Sequence, residues 1–117
     1  MSNILVQFTQ PPYSGSDAED GLDFVLAATN YGHDVAVLFT GDGVYQLHVE
    51  QTPSFAKNHA KRLKMMPLYD IEDVYISKPC LESRHLSSDN LVNVDGVTLS
   101  HQQVTDLINQ AKHVVTF

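Results

Sequence analysis

Several residue types are scarce in this chain of 117 residues, and each scarcity excludes a class of protein. The single cysteine, Cys80, leaves no intrachain disulfide, which suits a reducing cytoplasm, and it rules out a cysteine-rich zinc site. Only 7 lysines and arginines stand against 14 acids, so the net charge of −7 does not attract phosphate backbones and direct nucleic acid binding is not expected. No apolar run approaches the roughly 20 residues that span a bilayer, and the amino terminus lacks a signal-peptide pattern. A cytoplasmic protein without membrane segments is therefore expected.

The rest of the composition is ordinary for a globular protein, with 43% apolar and 18% charged residues, and predicts one domain over residues 1–117. Short apolar runs alternate with helical patterns along the whole chain. The predicted strands are Ile4–Phe8, Val35–Phe39, Asp73–Ser77, Leu91–Val94 and His113–Phe117. Continuous apolar strands are typical of parallel sheets that are covered on both faces. The pattern therefore predicts a three-layer α/β sandwich around a mainly parallel, five-stranded, flavodoxin-like sheet.

Helix starts are predicted from capping patterns. The four predicted helices begin at Ser16, Thr52, Pro79 and Ser100. Ser16 with Glu19, and Ser100 with Gln103, have the spacing of a capping box, in which side chain and backbone satisfy each other. Pro67 is expected to end the second helix, because proline cannot continue a helix interior.

Candidate chemistry lies at the carboxyl ends of the strands, where ligands bind in such folds. Cys80 follows the third strand at a predicted helix start, beside Lys78, and both influences favour a thiolate. One interpretation is a thiolate that accepts sulfur as a persulfide. The other is a small packing residue in the first helical turn.

The turn Gly41-Asp42-Gly43 also has two interpretations. Asp42 could ligate a cation or bind a hydroxyl group, or the turn could simply need glycines that adopt positive φ. The run fits neither a P-loop nor a dinucleotide fingerprint. The six histidines have no standard zinc spacing. No metal and no cofactor are therefore predicted.

Two segments, read in order, resemble a known family. They are Phe39–Leu47 (FTGDGVYQL), an apolar strand entering a glycine-flanked acidic turn, and Leu68–Glu72 (LYDIE), which leads into the next strand. In a chain of this length they resemble the DsrE/DsrF-like proteins of sulfur transfer, and within them the C-type, DsrF-like branch. The resemblance extends from Ile4 to Phe117.

The resemblance implies an accessory, non-catalytic subunit of a cytoplasmic sulfur relay that passes persulfide sulfur towards 2-thiouridine at the tRNA wobble position. It also implies a heterohexamer containing two copies each of this subunit and of B-type and D-type relatives. In the related sulfur carrier the cysteine lies at the tip of the third strand, which corresponds here to Ile76 or Ser77. Cys80 is displaced from that position by about a turn.

Other functions stay open from the sequence. The chain could be a self-sufficient sulfurtransferase that uses Cys80, or a small-molecule-binding α/β module that uses the Asp42 turn. If it belongs to a relay, the pathway could be tRNA thiolation or sulfur oxidation.

An interface is predicted after the second strand. The apolar side chains of Tyr45, Leu47, Val49 and Phe55 lie in a segment predicted to be irregular, which offers them little shelter. We therefore expect part of this group to contact another subunit, and the isolated chain to self-associate.

Overall fold

The computed structural model describes residues 4–13, 15–48 and 59–117, with the backbone alone at positions 60 and 88. Five strands form one sheet in the order β4-β3-β2-β1-β5, and each pairing between neighbouring strands is parallel. The strands are β1 (Ile4–Phe8), β2 (Val35–Phe39), β3 (Asp73–Ser77), β4 (Val97–Leu99) and β5 (His113–Thr116). The predicted α/β class and parallel sheet are confirmed.

The described helices are α1 (Asp17–Asn30), α2 (His59–Leu63), α3 (Lys78–Ser83) and α4 (His101–Gln110). Short 3₁₀ helices cover Gly41–Leu47, Met66–Tyr69 and Ser88–Asn90. None of these helices is long and apolar enough to cross a membrane.

The core lies mostly on one face of the sheet, between the strands and α1. Phe8 and Phe39 stack there with ring centroids 5.1 Å apart, and Phe117 lies against both Phe8 and Phe24. The opposite face carries a smaller apolar cluster beneath α4, formed by Leu5, Ala36 and Leu38 together with half-buried side chains of α4. The two faces therefore differ in how fully helices cover them.

The predicted fourth strand, Leu91–Val94, is wrong. Leu91 makes only an isolated bridge to His48, and the strand that pairs with β3 is Val97–Leu99. The N–H of Val92 donates to the carbonyl oxygen of Leu47 at 2.7 Å, which attaches this segment to a 3₁₀ helix and not to the sheet. Val92 and Val94 are buried and Leu91 is partly buried because the loop packs on the core, so the run resembled a strand.

Two helix predictions also need correction. Ser16 precedes α1 as expected, but its side chain makes no capping hydrogen bond, whereas the box at Ser100 and Gln103 is complete. Pro67 does not end a long helix: α2 ends at Leu63, and Pro67 lies in the first turn of a separate 3₁₀ helix, where a missing N–H costs little. The predicted start at Thr52 lies outside the described residues.

Candidate functional site

The carboxyl ends of β2 and β3 bring together the two features that the sequence marked for chemistry. The N–H of Gly41, just after β2, donates a hydrogen bond to the sulfur of Cys80, just after β3, over 3.2 Å. The Asp42 turn and Cys80, 38 positions apart in the sequence, therefore form one site at this edge of the sheet.

Cys80 lies in the first turn of α3 and is half-buried. Ser77 precedes this helix as its N-cap, and its hydroxyl accepts a hydrogen bond from the Cys80 N–H at 3.4 Å. The last two residues of β3, Ile76 and Ser77, are 5% and 4% exposed. The tip of β3 thus ends in a buried hydroxyl that caps a helix, and the thiol lies beyond it.

Arg84, which the sequence did not single out, connects the parts of this site. Its Nε and Nη2 both reach Oδ1 of Asp42 at 3.0 Å, and its Nη1 donates to the Cys80 carbonyl oxygen at 3.2 Å. Its guanidinium carbon lies 6.0 Å from the centre of the Tyr45 ring. The sequence around a lone arginine after a short helix does not indicate that its partner lies 42 residues away. The turn is thereby tied to α3 by a partly exposed ion pair.

Glycine occurs at two positions of the turn for two different physical reasons. Gly41 has a φ of +55°, as expected for a left-handed turn position. Gly43 was expected to need a positive φ as well, and that prediction is wrong. A Cβ at Gly43 would lie 2.0 Å from the carbonyl oxygen of Phe8, so glycine is required there by the close approach of β1.

A buried polar network, also missed from the sequence, adjoins this edge of the sheet. Gln46 is fully buried and His59 is 3% exposed. The amide nitrogen of Gln46 donates to the Gln10 carbonyl oxygen at 2.8 Å, so its amide oxygen accepts from Nε2 of His59, also at 2.8 Å. The backbone N–H of His59 donates to the hydroxyl of Tyr13 at 2.7 Å. The network joins α2 to the 3₁₀ helix Gly41–Leu47 and to the loop after β1.

Burial changes the protonation of His59. It lowers the pKa of His59 from 6.5 to about 4, with a smaller contribution from the Arg62 guanidinium, while the Asp23 carboxylate acts in the opposite direction. The imidazole is therefore neutral at pH 7. The available signal was its place on the apolar face of the predicted helix, because a buried histidine requires a hydrogen-bond partner.

The structure separates the predicted interface residues. Tyr45 is 36% exposed and lies beside Arg84. Leu47 is fully buried in the core, because residues 41–47 form a 3₁₀ helix and not an irregular segment, so the expectation that it lacks shelter is wrong. Val49 and Phe55 lie outside the described residues. Within the described parts of the chain, no cluster of His, Cys, Asp or Glu could hold a metal ion.

The fold defines the class of protein to which this chain belongs. It is a small α/β domain with a five-stranded parallel sheet, and the YchN protein from E. coli has a similar crystal structure, with a TM-score of 0.84, 19% identity and full coverage of both chains. A conserved protein of unknown function from Bacteroides thetaiotaomicron is similar with a TM-score of 0.70 and 11% identity, over 98% of this chain and 95% of that one. These likenesses establish the fold.

The sequence comparisons establish the family. The DsrE/DsrF-like family model matches residues 2–117, and the chain belongs to that family. Proteins named TusC homolog are similar over the full length of both chains: 39% identical in Vibrio parahaemolyticus, 34% in Vibrio vulnificus and 29% in Aliivibrio fischeri. The resemblance inferred from the two motif segments is thus confirmed.

Proposed function

We propose that this chain is an accessory, non-catalytic subunit of a cytoplasmic sulfur relay, which passes persulfide sulfur towards 2-thiouridine at the tRNA wobble position. Membership of the DsrE/DsrF-like family supports a role in sulfur transfer, and full-length similarity to TusC homologs supports the C-type subunit. The net charge of −7 agrees with a role that does not require this chain to hold the tRNA by itself.

The observation that carries the proposal is the tip of β3. A sulfur carrier needs an accessible thiolate at the point where it meets its donor and acceptor. Here the tip ends in Ser77, whose hydroxyl is buried and engaged as the cap of α3. The chain's single cysteine lies three residues further on, and its sulfur accepts a hydrogen bond from the Gly41 N–H. The strand tip therefore offers no thiol to accept sulfur.

An accessory subunit contributes to an assembly through the surfaces that contact the other subunits. Tyr45 and Arg84 lie together beside the strand ends, and tyrosine and arginine are the side chains that most often anchor interfaces. The proposed partners are the B-type and D-type relatives, in a heterohexamer with two copies of each subunit. Tyr45 is the described member of the predicted interface group that stays accessible.

The substitution Cys80→Ser tests the non-catalytic role. A serine hydroxyl can still accept the hydrogen bond from Gly41, so the fold and the assembly should survive while sulfur transfer through this position is abolished. We expect 2-thiouridine in cellular tRNA, measured by mass spectrometry of nucleosides, to stay close to the wild-type amount. The controls are a strain that lacks the chain, and co-purification of the variant with its partners. Loss of thiolation with intact assembly would contradict the proposal.

One observation favours a second candidate, a self-sufficient sulfurtransferase that uses Cys80. The Gly41 N–H would stabilise a thiolate there, because hydrogen bonds to a charged acceptor are stronger than those to a neutral one. If this candidate is correct, the purified chain should acquire a persulfide on Cys80 when it is mixed with a persulfide donor, with a mass increase of one sulfur atom. A small-molecule-binding function is less well supported, because Arg84 already engages the Asp42 carboxylate.

A further inference from the structure

A partly open cavity of about 330 Å³ lies between the sheet and α4, at the amino ends of the strands and opposite to Cys80. From the sheet it is lined by Leu5 and Ala36, the second residues of β1 and β2, and by Asp73 and Tyr75 of β3. In a parallel sheet the amino ends of all strands lie together. The cavity is therefore separate from the site that follows β2 and β3.

Two small side chains leave the space that forms this cavity. Strand register places Ala36 in the middle of a row across three strands, between Leu5 and Asp73. From the helix the cavity is lined by Leu107 and, at the carboxyl end of α4, by Ala111. Protein interiors seldom leave spaces larger than a water molecule. The two alanines therefore create room that ordinary packing would fill.

One wall of the cavity is polar and carries a negative charge. Asp73 and Tyr75 lie two residues apart on β3, so their side chains are on the same side of the sheet. Burial, together with the Asp73 carboxylate, raises the pKa of the Tyr75 phenol, so the ring is neutral at pH 7. The floor is apolar, with Leu5 and Ala36 1% and 2% exposed. An apolar floor with a few polar groups is typical of a small-molecule site.

The end of α4 adds to the negative potential. Gln110 is the last residue of the helix and Ala111 its C-cap, and both line the cavity. The last carbonyl groups of a helix carry a partial negative charge, and the last turn of α4 contains no basic residue to offset it. Lys112, the next residue, is exposed and does not line the cavity. With a net charge of −7 on the chain, the cavity favours cations over anions.

We propose that this cavity binds a small organic ammonium ion, with the charged group beside Asp73 and an apolar body over Leu5 and Ala36. The volume lies near the lower end of the range of about 300–1,000 Å³ for small-molecule sites, so the ligand is a compact amine. The Tyr75 ring supplies aromatic surface next to the carboxylate. The proposal does not depend on the role in a sulfur relay, because the cavity and Cys80 lie at opposite ends of the strands.

Titration of the wild-type chain with three molecules of similar shape tests the charge preference. The molecules are phenethylamine, which is a cation at pH 7, the neutral phenethyl alcohol and the anionic hydrocinnamate. Two-dimensional NMR of the isotope-labelled, full-length chain follows the backbone amides of cavity residues such as Ala36 and Tyr75. We expect the amine to bind with a dissociation constant of about 1–10 mM, which suits so small a molecule. The alcohol should bind at least about fivefold more weakly, and the anion should not bind.

Substitutions test the place of binding. Asp73→Asn keeps the shape of the side chain and removes its charge, so it should weaken phenethylamine at least about fivefold and leave phenethyl alcohol within about twofold of wild type. Asp20→Asn is the matched control, because it removes the same charge from an exposed position of α1 on the other side of the sheet. It should keep the wild-type affinity for the amine. Ala111→Leu fills the cavity from the helix and should abolish the binding of both molecules.

Three results would overturn the proposal. The first is a wild-type chain whose cavity amides do not shift with phenethylamine at tens of millimolar. The second is binding of phenethyl alcohol or hydrocinnamate as tight as that of the amine. The third is an amine affinity that falls as much in Asp20→Asn as in Asp73→Asn, which would show attraction to the acidic chain as a whole. The titrations of the wild type decide the first two results even if a variant does not fold.

Discussion

Acid should destabilise this protein through His59, the imidazole in the buried network with Gln46. Its pKa of about 4 in the folded state lies well below the ordinary value of 6.5 that it takes in the unfolded chain. Between these two values the unfolded state binds more protons than the folded state, so stability falls as the pH falls. The contribution is fully present above about pH 6.5, is lost progressively towards pH 4, and changes no further below that.

The size of this effect on the free energy of unfolding follows from the difference between the pKa of His59 in the folded and unfolded states. A lowering from 6.5 to about 4 corresponds to about 3 kcal/mol in the free energy of unfolding. The physical cause is that a protonated imidazole would be buried beside the Arg62 guanidinium, with the Asp23 carboxylate as partial compensation. It would also gain a second N–H donor that needs an acceptor.

Urea unfolding at a series of pH values from 7.5 to 4 measures this effect. Carboxylates also titrate at the acidic end, so the informative quantity is the difference between the wild type and His59→Gln, in which an amide replaces the imidazole. The variant should lose stability at pH 7 but show a shallower decline between pH 6.5 and 4.5. The control is His33→Gln, an exposed loop position, which should keep the wild-type decline. Equal slopes for the wild type and His59→Gln, or a His59 NMR titration with its midpoint near 6.5, would refute the reasoning.

Three other substitutions test the site at the strand ends. Gly43→Ala should cost about 3 kcal/mol, because the new Cβ would lie 2.0 Å from the Phe8 carbonyl oxygen and the backbone must move apart; urea unfolding measures it. Asp42→Asn should cost less than about 1 kcal/mol, because its ion pair with Arg84 is partly exposed, and should leave tRNA thiolation unchanged. Tyr45→Glu should weaken co-purification with the related subunits without lowering the melting temperature, because the side chain is 36% exposed.

Matched control variants are available for the substitutions of Gly43 and Tyr45. Gly15→Ala adds a Cβ with no atom within 4 Å and should leave stability nearly unchanged. Tyr31→Glu changes a tyrosine that is 86% exposed elsewhere on the surface, and assembly should tolerate it. A stable Gly43→Ala protein would contradict the close approach of β1, and lost thiolation in a stable, assembled Asp42→Asn variant would indicate a binding role for that carboxylate.

Local patterns in the sequence were sufficient for much of the fold. The strands β1, β2 and β3 were predicted with the bounds that the structure has, because each is a short run that carries apolar residues on both faces of the sheet. The helix α4 was located by a capping box that lies within four residues. Such features depend on neighbours in the chain, so periodicity and residue type are enough to recognise them.

The same reasoning failed where an apolar run was buried without forming a strand. Val92 and Val94 are buried like strand residues, yet they lie in a loop that the Leu47 carbonyl oxygen holds against the core. Leu47 itself is buried because its segment is helical, although the run of turn residues before it predicted irregular structure. Burial alone does not distinguish a strand from a loop that packs on the core.

The sequence by itself determined the class of fold, the scarcity of thiols and bases, and the motif order by which the family can be recognised. Only the tertiary structure decided how the site is built: the Arg84–Asp42 ion pair, the Gln46–His59 hydrogen bond and the approach of Phe8 to Gly43. The first and last of these join residues more than 30 positions apart, and all three depend on how separate elements pack. No local pattern encodes such a meeting, because it exists only after the sheet has brought the strand ends to one edge.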